Sequence, residues 1–115
     1  MKLSESILKN LNEGAQSFAV SRSGSNPVQI FNTLVSEAIY EHGHDPYNGT
    51  ISTTNFNGNV IKIADVYSEE ADSKAREYIK NDDYGEKRVS KCLDLGEKPD
   101  QPGVHVYIFY GLAAN

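Results

Sequence analysis

Hydrophobic residues recur along this chain at two spacings, and each spacing predicts a different kind of element. Apolar positions three and four residues apart predict helices over residues 3–11, over residues 27–42 and over a segment that begins at Ser68 and ends in the NDDYGEK stretch. Alternating or continuous apolar runs predict strands over residues 16–23, 59–66, 89–95 and 104–112, and strand character also begins at Thr50 and Ile51.

The second predicted helix has the clearest start and stop. Ser25 or Asn26 can cap it, and Pro27 suits its first turn, where a missing N–H costs nothing. Gly43 favours a left-handed stop. The apolar stripe of this helix consists of Val28, Phe31, Leu34, Val35, Ala38 and Ile39.

Two polar turn regions follow this helix. Asp45 and Pro46 start the first turn, and Asn48 and Gly49 supply positions that tolerate a positive φ. The second region, TNFNGN at residues 54–59, is typical of a turn or a hairpin tip.

The order of the elements predicts an α+β fold: a mostly antiparallel sheet of four to five strands, two main helices packed on it, and a short N-terminal helix. Parallel pairing across the helical crossovers remains open at either end of the chain. The last strand carries aliphatic residues on one face and aromatic residues on the other, which predicts burial on both faces, by a helix layer or by another subunit.

Composition limits the classes of protein and partner. The 115 residues suffice for one modest core, so residues 1–115 are predicted to form a single domain, with residues 1–14 as a candidate oligomerisation element. A formal net charge of −5 disfavours nucleic acid and membranes as partners, although a few basic groups can still hold a small anion. No apolar run approaches the ~20 residues that span a bilayer. The one cysteine, Cys92, cannot form an internal disulfide, which favours a reducing cytoplasm.

The chain offers little for catalysis. His42, His44 and Asp45 are candidate metal ligands, but histidines beside a helix-stopping glycine also suit the negative end of the helix, and no further local ligand completes a tetrahedral set. Cys92 lies in the middle of a predicted strand, and no serine stands in a GxSxG turn. We therefore predict no enzymatic activity, no metal and no cofactor.

The first turn region is a candidate ligand loop. Turn backbones expose N–H groups that can hold phosphate oxygens, and Asn48 and Thr50 add polar side chains. The alternative is a turn built for structure alone, which accounts for every residue there except Tyr47. Lys87 and Arg88 begin a strand, from which their side chains can reach a cleft and serve an anion.

Aromatic and acidic residues suggest two kinds of contact. Tyr47 and Phe56 are candidate stacking surfaces for a base. Residues 65–86 hold eight acidic side chains against three basic ones, which is typical of the wet side of a helix and is also compatible with a protein-binding surface.

The EHGHDPYNGTIST turn, the later alanine-containing helix and the closing VYIFYGLAAN strand resemble small proteins encoded by tailed phages and prophages. Among these, the build is similar to the Thoeris anti-defence sponge family, whose members bind and sequester a cyclic ADP-ribose isomer made by a host immune enzyme. The resemblance implies a homo-oligomer in the host cytoplasm, with ligand pockets at or near subunit contacts.

These observations lead to one hypothesis and three alternatives. The hypothesis is a phage-encoded, non-enzymatic binder of a nucleotide-derived signal. The alternatives are an acidic inhibitor that binds a host protein, a small phage enzyme that acts on nucleotides, and a small phage protein with another role. The predicted ligand contacts are Tyr47, Asn48, Thr50, Phe56, Lys87 and Arg88.

Overall fold

The computed structural model describes residues 14–115, so the helix predicted over residues 3–11 lies outside the described residues. Along the chain the elements are β1 (Ala15–Gly24), α1 (Pro27–His42), a 3-10 turn (Ile51–Thr53), β2 (Asn55–Lys62), α2 (Glu69–Asp82), β3 (Val89–Glu97) and β4 (His105–Ala114). No described helix is both long enough and apolar enough to cross a membrane.

The four strands form one sheet in the order β1-β4-β3-β2. β4 pairs antiparallel with both β1 and β3, whereas β2 runs parallel to β3 and is joined to it through α2. The predicted α+β class is confirmed. The sheet is mixed, because a helical crossover between neighbouring strands returns the chain in the same direction.

α1 covers one face of the sheet. The side chain of Asn26 accepts hydrogen bonds from the N–H groups of Val28 and Gln29, and Pro27 occupies the first turn, as the sequence predicts. The apolar stripe places Phe31 and Leu34 in a core with Phe109. Each such buried side chain contributes about 1.5–3 kcal/mol, so packing against the sheet fixes this helix.

α2 covers the opposite face. Ser68 caps it by accepting a hydrogen bond from the N–H of Ala71, at 3.1 Å. Its inner face is narrow, with Ala71, Ala75 and Ile79 buried against β3 and β4. The small alanines let the helix lie close to the strands.

β4 is an inner strand with helices on both sides. Val106 and Ile108 belong to the core under α2, and Tyr107 and Phe109 belong to the core under α1. The predicted burial on both faces is correct. It comes from two helices of the same chain, so this strand does not present a face to another subunit.

Two local predictions around β2 are wrong. Thr50 and Ile51 do not start a strand, because the Thr50 hydroxyl accepts the N–H of Ser52 and begins the 3-10 turn instead. The TNFNGN stretch is mostly strand. Phe56 pairs with Ser90 and Val60 pairs with Cys92, and the turn-forming residues between them form an irregularity in the strand and do not end it. Inside that irregularity Gly58 has a φ of 90°, and the side chain of Asn57 accepts the N–H of Asn59.

Candidate functional site

The loop between α1 and β2, residues 43–54, begins with two local turns. Gly43 ends the helix with a φ of 84° and donates its N–H to the carbonyl of Ile39. The carboxylate of Asp45 then accepts the N–H of Tyr47 at 2.8 Å, and the Asp45 carbonyl accepts the N–H of Asn48 at 3.2 Å. We call residues 43–54 the α1–β2 loop.

Asn48 organises the middle of the α1–β2 loop. Its amide nitrogen donates to the carbonyl of Gly43 and to the hydroxyl of Ser52, both at 3.0 Å. Its amide oxygen accepts the N–H of Thr50 at 3.0 Å and the Thr50 hydroxyl at 2.7 Å. Both side chains predicted to contact a ligand here are therefore used within the loop, and they shape it.

The α1–β2 loop is fixed to the end of β4. Thr53 is buried, and its hydroxyl accepts the N–H of Ala114 at 2.8 Å while donating to the carbonyl of Thr50. In the other direction, Gly49 donates its N–H to the carbonyl of Ala114 at 2.7 Å. These bonds place the loop at the end of the sheet where β4 finishes and β1 starts, beside the terminus of an inner strand.

Arg88 reaches across to this loop from the start of β3. Its two terminal nitrogens donate to the carbonyls of Thr53, at 3.2 Å, and Pro46, at 3.1 Å. Its backbone has a φ of 68°, a left-handed conformation that costs a residue other than glycine about 1–3 kcal/mol. Bonds from the Arg88 N–H to Leu112 and from Asn55 to the Arg88 carbonyl hold it there.

The guanidinium of Arg88 also lies over the ring of Tyr47, with 5.0 Å between the central carbon and the ring centroid. This is a cation–π distance. Tyr47 is 58% exposed, so the pair is open to solvent on the surface of the loop. We call Tyr47 and Arg88 the Tyr–Arg pair.

The other two predicted ligand contacts differ from each other. Lys87 is exposed next to Arg88, and its ammonium lies close to Gly14. Phe56 does not belong to the site, because its ring packs against Phe31 and Phe109 at centroid distances of 5.4 and 5.3 Å. The predicted stacking role of Phe56 is corrected to a core role: an aromatic residue in a strand reveals its face only once the register is known.

An open groove lies between β1, α1 and the α1–β2 loop. It has a volume of about 350 Å³, and Gly49 and Thr50 form its loop side. Arg22 and Glu37 also line it, and they form a two-bond ion pair of 2.9 and 3.0 Å. The remaining lining residues are Phe18, Val20, Leu34, Ala38, Glu41, His42 and Ile51.

The Arg22–Glu37 pair was not predicted. Hydrogen bonding to Arg22 lowers the pKa of Glu37, and the same bond raises the pKa of Arg22, so both groups stay charged. The two residues are fifteen positions apart on different elements, and no spacing signal marks them.

Two chemical roles lack support in the part of the chain that the structure describes. No group of three or more histidine, cysteine or acidic side chains in residues 14–115 is placed to hold a metal ion. Cys92 is buried, and burial raises the pKa of its thiol to about 12, so it is neither ionised nor accessible near neutral pH.

The acidic residues around α2 are partly neutralised by neighbours. Asp65 pairs with Lys62, Asp72 with Arg76 at 3.0 Å, and Asp82 with Lys91 at 2.8 Å. Pairing of this kind reduces the field that would attract a basic partner, and the exposed pairs contribute little to stability.

Searches against protein-family models, curated proteins and solved structures find no match to this chain.

Proposed function

We propose that this protein is a phage-encoded, non-enzymatic binder that sequesters a nucleotide-derived anionic signal, a cyclic ADP-ribose isomer, in the cytoplasm of the host cell. The observation that carries the proposal is the Tyr–Arg pair: a guanidinium from the start of β3 lies over an exposed aromatic ring of the hydrogen-bonded α1–β2 loop.

The chemistry of the pair suits such a ligand. A guanidinium has five N–H donors, and two of those on Arg88 bond loop carbonyls, so donors remain for a phosphate oxygen as far as residues 14–115 show. Lys87, the preceding residue, adds a second exposed positive charge to this part of the chain, and its ammonium lies near Gly14. The exposed ring of Tyr47 is a stacking surface for a base, an interaction worth about 1–3 kcal/mol.

The rigidity of the α1–β2 loop supports binding. Asn48 holds the turn from inside, and Thr53 and Gly49 fix it to β4. A ligand that meets a preformed site loses less free energy to ordering the protein. Sequestration also needs no catalytic group.

Isothermal titration calorimetry with cyclic ADP-ribose isomers tests the proposal. We expect heat of binding at micromolar protein and a loss of about tenfold or more in affinity for Tyr47→Ala, because that change removes the ring and leaves the Asp45 and Asn48 turns intact. The matched control is Tyr40→Ala on α1, since Tyr40 is 92% exposed and lies outside the loop.

Two results would overturn this function. An absence of heat with every isomer would show that cyclic ADP-ribose isomers are not the ligand. Equal affinities for Tyr47→Ala and the native chain would show that the Tyr–Arg pair is not the binding site. Release of the ligand by boiling, followed by mass spectrometry, separates a binder from an enzyme: we expect the intact isomer, and a converted product would show catalysis.

A further inference from the structure

The two edges of the sheet differ in how they are protected. β2 forms one edge and carries an irregularity at residues 57–59, with the exposed Lys62 at its end. Both features hinder pairing with a further strand. β1 forms the other edge with ten consecutive residues in unbroken register with β4, no proline and one charged side chain, Arg22. That charge is already paired with Glu37.

The outer edge of β1 presents a full row of backbone groups. The N–H of Asn115 donates to the carbonyl of Gly14, which fixes the alternation: even-numbered residues of β1 bond β4, and odd-numbered residues point away from it. No strand within residues 14–115 pairs with this outward row. The outward residues are Ala15, Ser17, Ala19, Ser21 and Ser23.

The sequence of β1 is symmetric in residue class about Ala19. Small residues alternate with others along AQSFAVSRS, and moving outward from Ala19 in either direction gives an apolar residue, then a small one, then a long polar one. An antiparallel copy centred on Ala19 would therefore set like classes of residue opposite each other.

We propose that β1 pairs antiparallel with β1 of a second copy of this chain, about a two-fold axis at Ala19, to form one continuous sheet of two subunits. In this register Phe18 of each copy stands opposite Val20 of the other. Such aromatic–β-branched pairs stabilise antiparallel strands. Both side chains are only half-buried in the single chain, where they line the groove beside α1.

The polar positions also fit this register. Arg22 of one copy faces Gln16 of the other, so the two arginines do not oppose each other, and Ser17 faces Ser21. Isologous two-fold contacts are the commonest kind in protein dimers. The odd-numbered side chains are small and, apart from Ala15, exposed, so none blocks the approach of the second strand.

Light scattering coupled to size-exclusion chromatography tests the pairing. We expect a mass of two chains for the native protein and of one chain for Ala19→Lys, which sets like charges opposite each other at the axis. Asn59→Lys is the matched control, because it adds the same charge to the irregular edge strand, and it should leave the mass at two chains. A native monomer, or an Ala19→Lys protein that remains a dimer, would overturn the proposal.

Cross-linking tests the register without disturbing the fold. Residues at position 19 would face each other at about 5.5 Å between α-carbons, within the range of a disulfide, so A19C should form a covalent dimer on oxidation. S17C places its two thiols about 13 Å apart along the strand and should not. Cys92 is buried and does not compete. Equal cross-linking of the two variants, or none in either, would overturn the register.

Discussion

Gly111 occupies the closest approach between β4 and the start of β3. A β-carbon placed on it would lie 2.2 Å from the carbonyl oxygen of Val89 and 3.3 Å from the ring of Phe18. The first contact is with backbone in the interior of the sheet, so relief requires the strands to separate. At this position glycine is required by the space available.

Gly111→Ala should therefore lower the free energy of unfolding by at least about 2 kcal/mol, since overpacking an interior typically costs 1–3 kcal/mol and more when backbone must move. Gly14→Ala is the matched change, because the atom nearest its new methyl group is the mobile ammonium of Lys87. That variant should stay within about 0.5 kcal/mol of the native protein. Urea denaturation of the two measures the difference, and equal midpoints would contradict the packing argument.

The candidate site shows which parts of a binding site local sequence can reveal. Asp45, Asn48 and Gly49 form turns because their side chains and backbones favour them locally, and the sequence predicts those turns correctly. The contact between Arg88 and Tyr47 joins residues 41 positions apart and depends on the left-handed backbone of Arg88, which no local pattern encodes. From the sequence, Tyr47 and Arg88 can be predicted separately as ligand contacts, but their contact with each other becomes visible only in the folded structure.

α2 is attached to the sheet at its C-terminal end through one carboxylate. Asp82 accepts hydrogen bonds from the ammonium of Lys91 and the hydroxyl of Tyr110, each at 2.8 Å. The bond from Lys91 is the main cause that lowers the pKa of Asp82, desolvation opposes it, and the bond from Tyr110 lowers it further. Burial raises the pKa of Tyr110, and the hydrogen bond to this carboxylate raises it further.

This attachment should make the protein sensitive to acid. Because the pKa of Asp82 is lower in the folded chain than its ordinary value of 3.8, its stabilisation is complete above that value and is lost as the pH falls through the folded pKa. Asp82→Asn should lose about 1 kcal/mol at pH 7 and show a shallower decline of Tm between about pH 5 and 2.

Asp83→Asn is the control for this acid sensitivity. The side chain of Asp83 is exposed, and asparagine tolerates its φ of 52°. This variant should keep the native pH profile. Identical profiles for Asp82→Asn and the native chain would show that the carboxylate does not anchor the helix.

The ends of helices and strands are predicted best where a single local feature of the sequence, such as a capping residue, determines them. α1 and α2 begin at their expected caps because Asn26 and Ser68 offer side-chain acceptors to the first free N–H groups. The predicted start of β2 is wrong because Asn57 and Gly58 are residues typical of turns. A strand can include such residues as an irregularity when hydrogen bonds to the neighbouring strand continue on both sides of them. That neighbour, β3, lies beyond α2 in the chain, so a local pattern cannot show it.

The arrangement of the whole molecule follows from pairing between distant strands. β1 and β4 are the first and last described strands, and they lie side by side. The end of β4 is also hydrogen-bonded to the α1–β2 loop. Candidate surfaces for a second subunit are thus limited to the outside of this arrangement. β4 is excluded because it is an inner strand, and β1 has an edge that no strand within residues 14–115 pairs with.

Thermal unfolding at several protein concentrations provides a test of pairing for the whole molecule. If two chains share one sheet through β1, dissociation accompanies unfolding, and mass action raises Tm with concentration. A tenfold increase supplies about 1.4 kcal/mol per dimer, so Tm should rise by about 2–4 °C when two chains of this size unfold together. Ala19→Lys should remove that dependence, because it unfolds as a single chain, whereas Asn59→Lys should keep it. A Tm of the native protein that is constant over a hundredfold range of concentration would mean that each chain is stabilised by its own core alone.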